Sequence, residues 1–240
     1  MRVCGGGRVA GVDESSVERL LAEQRRYYGA RAPEYDDWWF RRGRYAVDDE
    51  AAQRWFADVA ELEAELERFA PTGDVLELAA GTGTWTRHLL RHAAQVTAVD
   101  AVPEVLDLNR SKTGGGVDFV LADVFEWEPP RAYDACVFGF WLSHVPSSQF
   151  AEFWSLVDRA LKPEGRVFLV DNAHLGDPRH LVSAGGEVAR RSLSDGREFD
   201  IVKRFWAPAE LEREVAALGW RVTAGATANG HFIFAAGARG

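Results

Sequence analysis

The stretch Val75-Leu76-Glu77-Leu78-Ala79-Ala80-Gly81-Thr82-Gly83-Thr84-Trp85-Thr86-Arg87-His88-Leu89 decides the fold. It opens as a short apolar run suited to a buried strand, passes through a glycine turn and enters a helix. Gly81 and Gly83 permit a tight turn and let a ligand approach the backbone without meeting a Cβ. This is the layout of a nucleotide-type site. A dinucleotide fingerprint, G-x-G-x-x-G, needs glycine at position 86, where this chain has Thr86. An acid, Glu77, stands inside the strand just ahead of the turn.

Two more carboxylates close the next two apolar runs: Asp100 after Val96-Thr97-Ala98-Val99, and Asp123 after Phe119-Val120-Leu121-Ala122. In an open α/β sheet these strand ends surround one crevice. Three acids there repel a pyrophosphate and suit a cationic sulfonium, a ribose diol and an exocyclic amine. S-adenosylmethionine carries all three groups. Ordinary helix capping or loop solvation is the other use for Asp100 and Asp123.

The pattern around this motif alternates. Strands are expected at 74–79, 95–100, 117–121, 133–139 and 165–171, with helices at 84–93, 103–110 and 147–161, and Lys162-Pro163-Glu164-Gly165 as the turn into the fifth strand. Such alternation implies a doubly wound, mostly parallel α/β sheet. Glu187 to Leu193 and Glu198 to Trp206 read as a hairpin around Ser194-Asp195-Gly196-Arg197. A helix at 208–218 and strands at 220–226 and 231–236 complete an antiparallel edge. Ahead of the core, a first helix through Val17, Leu20, Leu21 and Gln24 leads into an aromatic segment, Tyr27 to Trp39. A longer helix at 50–69 carries Trp55, Val59, Leu62, Leu66 and Phe69 at helical spacing. The expected organisation is a mobile tail at 1–12 and a single domain at 13–240. Within that domain, 13–70 forms a helical lid and 74–240 the core, with the hairpin at 185–206.

Composition narrows the function. A chain of 240 residues with 47% hydrophobic content can bury one large core. Its net charge of -9 argues against a nucleic-acid substrate, because such binding rests on basic side chains that displace counterions. Only Lys112, Lys162 and Lys203 accompany the many arginines. No apolar run approaches the roughly 20 residues of a membrane span, and no basic segment with an apolar signal core is present. A cytoplasmic protein with a small-molecule acceptor, monomeric or homodimeric, is expected. Cys4 and Cys136 are too few for a disulfide framework, and Cys136 lies in an apolar run where a buried thiol is expected.

The chain resembles the class I S-adenosylmethionine-dependent methyltransferases from about Tyr27 onward. The resemblance rests on E-L-A-A-G-T-G at 77–83, V-D at 99–100, A-D-V-F at 122–125, F-W-L-S-H-V-P at 140–146 and L-K-P-E-G-R-V-F-L-V-D at 161–171. It implies a Rossmann-like seven-stranded sheet with S-adenosylmethionine as cofactor. Ala79 to Gly83 would face its methionine part, and Glu77 would act near it. Asp100 would take the ribose hydroxyls, Asp123 and the backbone of Val124 the adenine edge, with Ala101, Phe125 and Phe138 packed around the ligand. Tyr28 and Tyr35 would belong to a lid over the methionine end, with Tyr35 and Trp141 facing the acceptor. Buried core tyrosines with hydrogen-bonded tips are the plainer reading of both. W-L-S-H-V-P, A-R-R-S-L-S-D-G-R and I-V-K-R-F look like small-molecule O-methyltransferases of natural-product pathways, phosphonate-type ones included, implying a phosphonate or carboxylate oxygen as acceptor. Asp171-Asn172 matches part of a catechol-methyltransferase metal set, but the further acid after the fourth strand is missing, so no metal is expected.

Two side chains stand out at the acceptor end. His144, just past the fourth strand, is a candidate base for a hydroxyl or a holder of an acidic substrate, and equally a satisfied core histidine. Lys203 shares a strand face with Phe199, Ile201 and Phe205 by the period of two. A cation in that row calls for an anion: an acidic substrate held with Arg191, or a neighbouring carboxylate. A phenol or amine acceptor with His144 as base is the runner-up activity. A nicotinamide oxidoreductase and a cofactor-binding protein without catalysis are the readings from other classes.

Overall fold

The computed structural model describes residues 14–173 and 187–240, so the segment 1–12 and the first two residues of 185–206 lie outside the described residues. Among the described residues, β1 (Gly73–Leu78), β2 (Ala93–Asp100), β3 (Val117–Leu121), β4 (Tyr133–Gly139) and β5 (Leu161–Asn172) form the parallel part of a seven-stranded sheet. The order is β3-β2-β1-β4-β5-β9-β8, with β8 (Trp220–Ala226) and β9 (Phe232–Arg239) antiparallel at one edge. β1 is flanked by β2 and β4, with Val75 opposite both Val96 and Ala135. The chain therefore winds away in opposite directions on either side of β1, and the crevice of an open α/β sheet opens at the carboxyl ends of such strands.

Both faces are covered, which is why β1, β4 and β5 read as continuous apolar runs. On one face α5 (Phe150–Ala160) and α6 (Pro208–Ala216) bring Trp154, Leu211 and Val215 against Leu76, Leu78 and Phe138. On the other, α2 (Asp49–Phe69) lays Trp55, Val59, Leu62, Leu66 and Phe69 on Val75, Val96 and Phe168. Asp48 caps α2 by accepting the Ala51 N–H at 2.8 Å. α2 is thus a core layer, and within 14–70 it is α1 (Glu14–Trp39) that reaches the crevice. A separate ribbon, β6 (Val188–Ser192) with β7 (Glu198–Val202), rides on α1: Glu23 accepts the Asp200 N–H, and Glu34 accepts from Ser194.

Several boundaries differ from the sequence expectation. The helix expected at 84–93 is only α3 (Thr86–Leu89), because β2 already starts at Ala93 and the intervening residues wind in i→i+3 turns. α1 is one helix from Glu14 through Pro33 to Trp39 rather than a helix followed by an aromatic segment. The helix expected at 147–161 starts at Phe150, after a 3₁₀ turn at Ser147–Gln149. β5 begins at Leu161: Tyr133 pairs with Leu161 and Ala135 with Arg166, so residues 162–165 bulge within the strand instead of preceding it. β7 stops at Val202, and Lys203 therefore lies beyond the strand.

Asp58 of α2 is fully buried and gathers the turn between β8 and β9. It accepts from Thr227 Oγ1 (2.7 Å), Asn229 N (2.9 Å), Asn229 Nδ2 (2.8 Å) and His231 N (3.0 Å), and pairs with His231 Nδ1 at 2.8 Å. Burial alone would raise its pKa, but the Asn229 and His231 N–H groups outweigh that and hold it down to about 2. Asp58→Ala is expected to cost about 3 kcal/mol of unfolding free energy, since several buried donors lose their acceptor together. Urea denaturation of variant and parent measures the difference.

Candidate active site

The carboxyl ends of β1, β2 and β4 and one face of α1 line a mostly apolar cleft. Its floor is the turn after β1. Ala79 has φ 51° and Gly81 φ 54°, both in the left-handed region. A Cβ built on Gly81 would meet nothing nearer than the Ala79 carbonyl at 4.0 Å, so the missing side chain leaves open space.

Asp100, at the end of β2, holds this turn in place. Its Oδ2 accepts the Gly81 N–H and its Oδ1 the Val102 N–H, both at 2.9 Å. A carboxylate has about four acceptor sites, so both oxygens keep capacity for a ligand hydroxyl. Burial first, and the charge of Asp123 as well, push its pKa up to about 6. Asp123 accepts the Phe125 N–H at 3.0 Å and forms an ion pair with Arg25 of α1. Ala101, Val124 and Phe125 complete this end of the cleft.

At the other end stand Tyr28, Tyr35 and His144, while Trp141 packs against Phe125 with ring centres 5.7 Å apart. His144 is buried, and its Nδ1 lies 2.7 Å from the Val202 carbonyl, which can only accept. The proton therefore sits on Nδ1, and Nε2 accepts the Tyr28 hydroxyl at 2.6 Å. Burial first, then the charge of Lys203, push the imidazole pKa well below its ordinary value. The ring is neutral at pH 7 and presents no N–H to the cleft, so His144 cannot itself hold an anion. Gln24 locks this arrangement by donating to the His144 carbonyl (3.2 Å) and accepting the Val202 N–H (3.0 Å).

Several residues singled out in the sequence lie outside the cleft lining. Glu77 is buried beneath the glycine turn, accepting from Thr86 Oγ1 at 2.5 Å, and Thr86 in turn accepts from Asn109 Nδ2 at 2.8 Å. Gly83 faces that asparagine: a Cβ there would come within 2.6 Å of Asn109 Oδ1, so its glycine serves helix packing. Phe138 points to the opposite face, against Phe153 and Trp154, and the period of two brings its neighbour Gly139 to the cleft. Lys203 is 3% exposed behind the wall. Its Nζ donates to Ser143 Oγ (2.8 Å) and Asn172 Oδ1 (3.0 Å) and lies 3.8 Å from Asp171. Arg191, half-buried on β6, donates to the Arg190 carbonyl at 3.2 Å, and its charge helps lower the pKa of both His144 and Lys203. Gln24, Arg25, Thr82 and Phe140 line the cleft without having been singled out. The spacing Leu21, Gln24, Tyr28, Tyr35 was the available signal for the α1 contribution.

A turn open at Gly81, with the buried Asp100 and the half-buried Asp123 at one end, suits the cofactor implied by the sequence. Comparison with known proteins agrees. The family described as "Methyltransferase domain" matches residues 75–165. The chain belongs to the class I S-adenosylmethionine-dependent methyltransferases, and S-adenosylmethionine is its cofactor. Within that class it is similar to DhpI, whose SAH complex is 38% identical with a TM-score of 0.73, covering 92% of this chain and 97% of that one. A second DhpI structure, with SAM and HEP, gives 37% identity and a TM-score of 0.74 over 91% and 97%. Among curated relatives, a demethylmenaquinone methyltransferase of Tropheryma whipplei is 33% identical over 46% of this chain and 45% of its own. A ubiquinone biosynthesis O-methyltransferase of Xylella fastidiosa is 32% identical over 57% and 56%. The chain thus spans about half the length of these curated relatives.

Glu77 gives a pH signature. Its burial raises its pKa to about 8, so between about 4.5 and about 8 the native state keeps a proton that the unfolded chain has released. Native stability therefore falls as pH rises through that window. In thermal melts of ligand-free protein from about pH 5 to about pH 8, Tm should fall in the parent relative to Glu77→Gln. Parallel curves for the two proteins would remove the assignment.

Proposed function

We propose that the chain transfers a methyl group from S-adenosylmethionine to an oxygen of a small acidic molecule, a phosphonate or a carboxylate, in secondary metabolism. The observation that carries this reading is the change of charge along the cleft. Asp100 and Asp123 stand at one end, and Lys203 and Arg191 support the other behind Tyr28 and His144. The likeness to DhpI, solved with SAM and HEP together, supports the same reading.

The cofactor supplies an electrophilic methyl on a sulfonium. Asp100 would accept from the ribose hydroxyls, and Asp123 with the Val124 backbone would meet the adenine edge once Arg25 yields. Ala79, Gly81, Ala101 and Phe125 give the backbone and apolar contacts, and Tyr28 bounds the methionine end. Glu77 acts through the turn above it. Tyr35 would flank the acceptor. Lys203 would attract its acidic group, together with Arg191. An already ionised oxygen needs no base, so these residues act by alignment. Interactions that favour the bound anion more than the transition state would slow the step, which fits a cation kept one layer back.

His144 then positions Tyr28. A second reading gives His144 the role of base toward a phenol or amine, relayed through the Tyr28 hydroxyl that its Nε2 accepts, with the Val202 carbonyl fixing the tautomer. Methyl transfer to a panel of phosphonates, carboxylates, phenols and amines decides between them. For an acidic acceptor His144→Ala should lower kcat by less than about tenfold, whereas a phenol acceptor with a loss of about 100-fold or more would establish the base. Asp100→Asn should weaken SAH binding about tenfold or more, and the parent's affinity should drop as pH falls through about 6 while the variant's stays level. Titration calorimetry reads both, and equal affinities would remove the ribose assignment.

A further inference from the structure

We propose that Arg31 is the group that clamps the acidic end of the acceptor, its guanidinium presented by an aromatic frame. This rests on the acidic-acceptor reading and names a residue that reading did not include. The cleft-lining row of α1 runs Leu21, Gln24, Tyr28 and Tyr35, steps of three, four and seven. Arg31 does not itself line the cleft, but it stands three residues after Tyr28 and four before Tyr35 and so shares their helix face just behind the lining. Its Cζ lies 5.0 Å from the Tyr35 ring centre, 5.7 Å from Tyr27, 5.7 Å from Trp38 and 6.0 Å from Tyr45.

Four rings orient a guanidinium without neutralising it. Among the described residues, no carboxylate lies within 4.0 Å of Arg31, and its buried Nε has no hydrogen-bond partner. Several other cations of this region have acids of their own: Arg25 has Asp123, Arg190 has Asp200, Arg197 has Asp195, and Lys203 has Asp171. A desolvated guanidinium with donors unused costs free energy until an anion arrives, and its fork matches a phosphonate or carboxylate in a two-point contact. Burial keeps the Tyr35 hydroxyl protonated, so beside Arg31 it can add a donor toward the same group.

The test uses the full chain loaded with SAH, with methylphosphonate and acetate as probes in titration calorimetry. Arg31→Gln is expected to weaken methylphosphonate binding by about tenfold or more while SAH affinity stays within about twofold. Arg31→Lys, which keeps the charge but not the fork, should weaken it several-fold, and it is the variant to read if the glutamine protein loses SAH affinity. Unchanged probe affinity in these variants, with a loss in Lys203→Gln, would overturn the role of Arg31 and leave the acidic-acceptor reading standing. Failure of the parent to bind either probe would overturn both.

Discussion

The Asp100 carboxylate is the contact on which the cleft depends. It stands at the end of β2 and accepts N–H groups from two chain segments, Gly81 in the turn after β1 and Val102 at the start of α4 (Pro103–Thr113). An ionised acceptor makes both bonds stronger than neutral ones, and burial keeps water from competing. Because Ala79 and Gly81 both sit at positive φ, the turn needs such a tether to hold its shape. Glu77, Thr86 and Asn109 brace the turn from below, and the same carboxylate keeps acceptor capacity toward the cleft.

A second clasp sets the opposite end. Gln24 joins the His144 carbonyl to the Val202 N–H, the Val202 carbonyl fixes the imidazole, and the imidazole holds the Tyr28 hydroxyl. α1, the segment after β4 and the hairpin are thereby tied through one buried polar network whose members each have a partner, an arrangement that favours a single conformation. On the function proposed above, the cationic donor would sit near Asp100 and Asp123 and an anionic acceptor near Arg31, Arg191 and Lys203.

The sheet was legible because its strands are short apolar runs ended by acids or glycines, and β4 and β8 fall where expected. What local pattern could not supply was depth. Glu77 and Asp100 both sit at strand ends, yet only the alternation of the turn shows that one lies under it and the other beside it. Phe138 and Gly139 exchanged roles for the same period-of-two reason. Lys203 was assigned to a strand face, but the chain leaves the ribbon at Val202 and turns toward Ser143 and Asn172. Arg31 carries no sequence signal of its own, because Tyr27, Tyr35, Trp38 and Tyr45 become a frame around it only when α1 runs unbroken past Pro33 and the chain folds back. No helix among the described residues is long and apolar enough to cross a membrane.

A crystal structure of the chain with SAH tests the central claim most directly. The account predicts the ribose hydroxyls within hydrogen-bond distance of the Asp100 carboxylate, with the Gly81 and Val102 N–H contacts kept and the homocysteine sulfur facing Tyr28. SAH bound away from Asp100, or a turn that releases that carboxylate when the ligand enters, would contradict it.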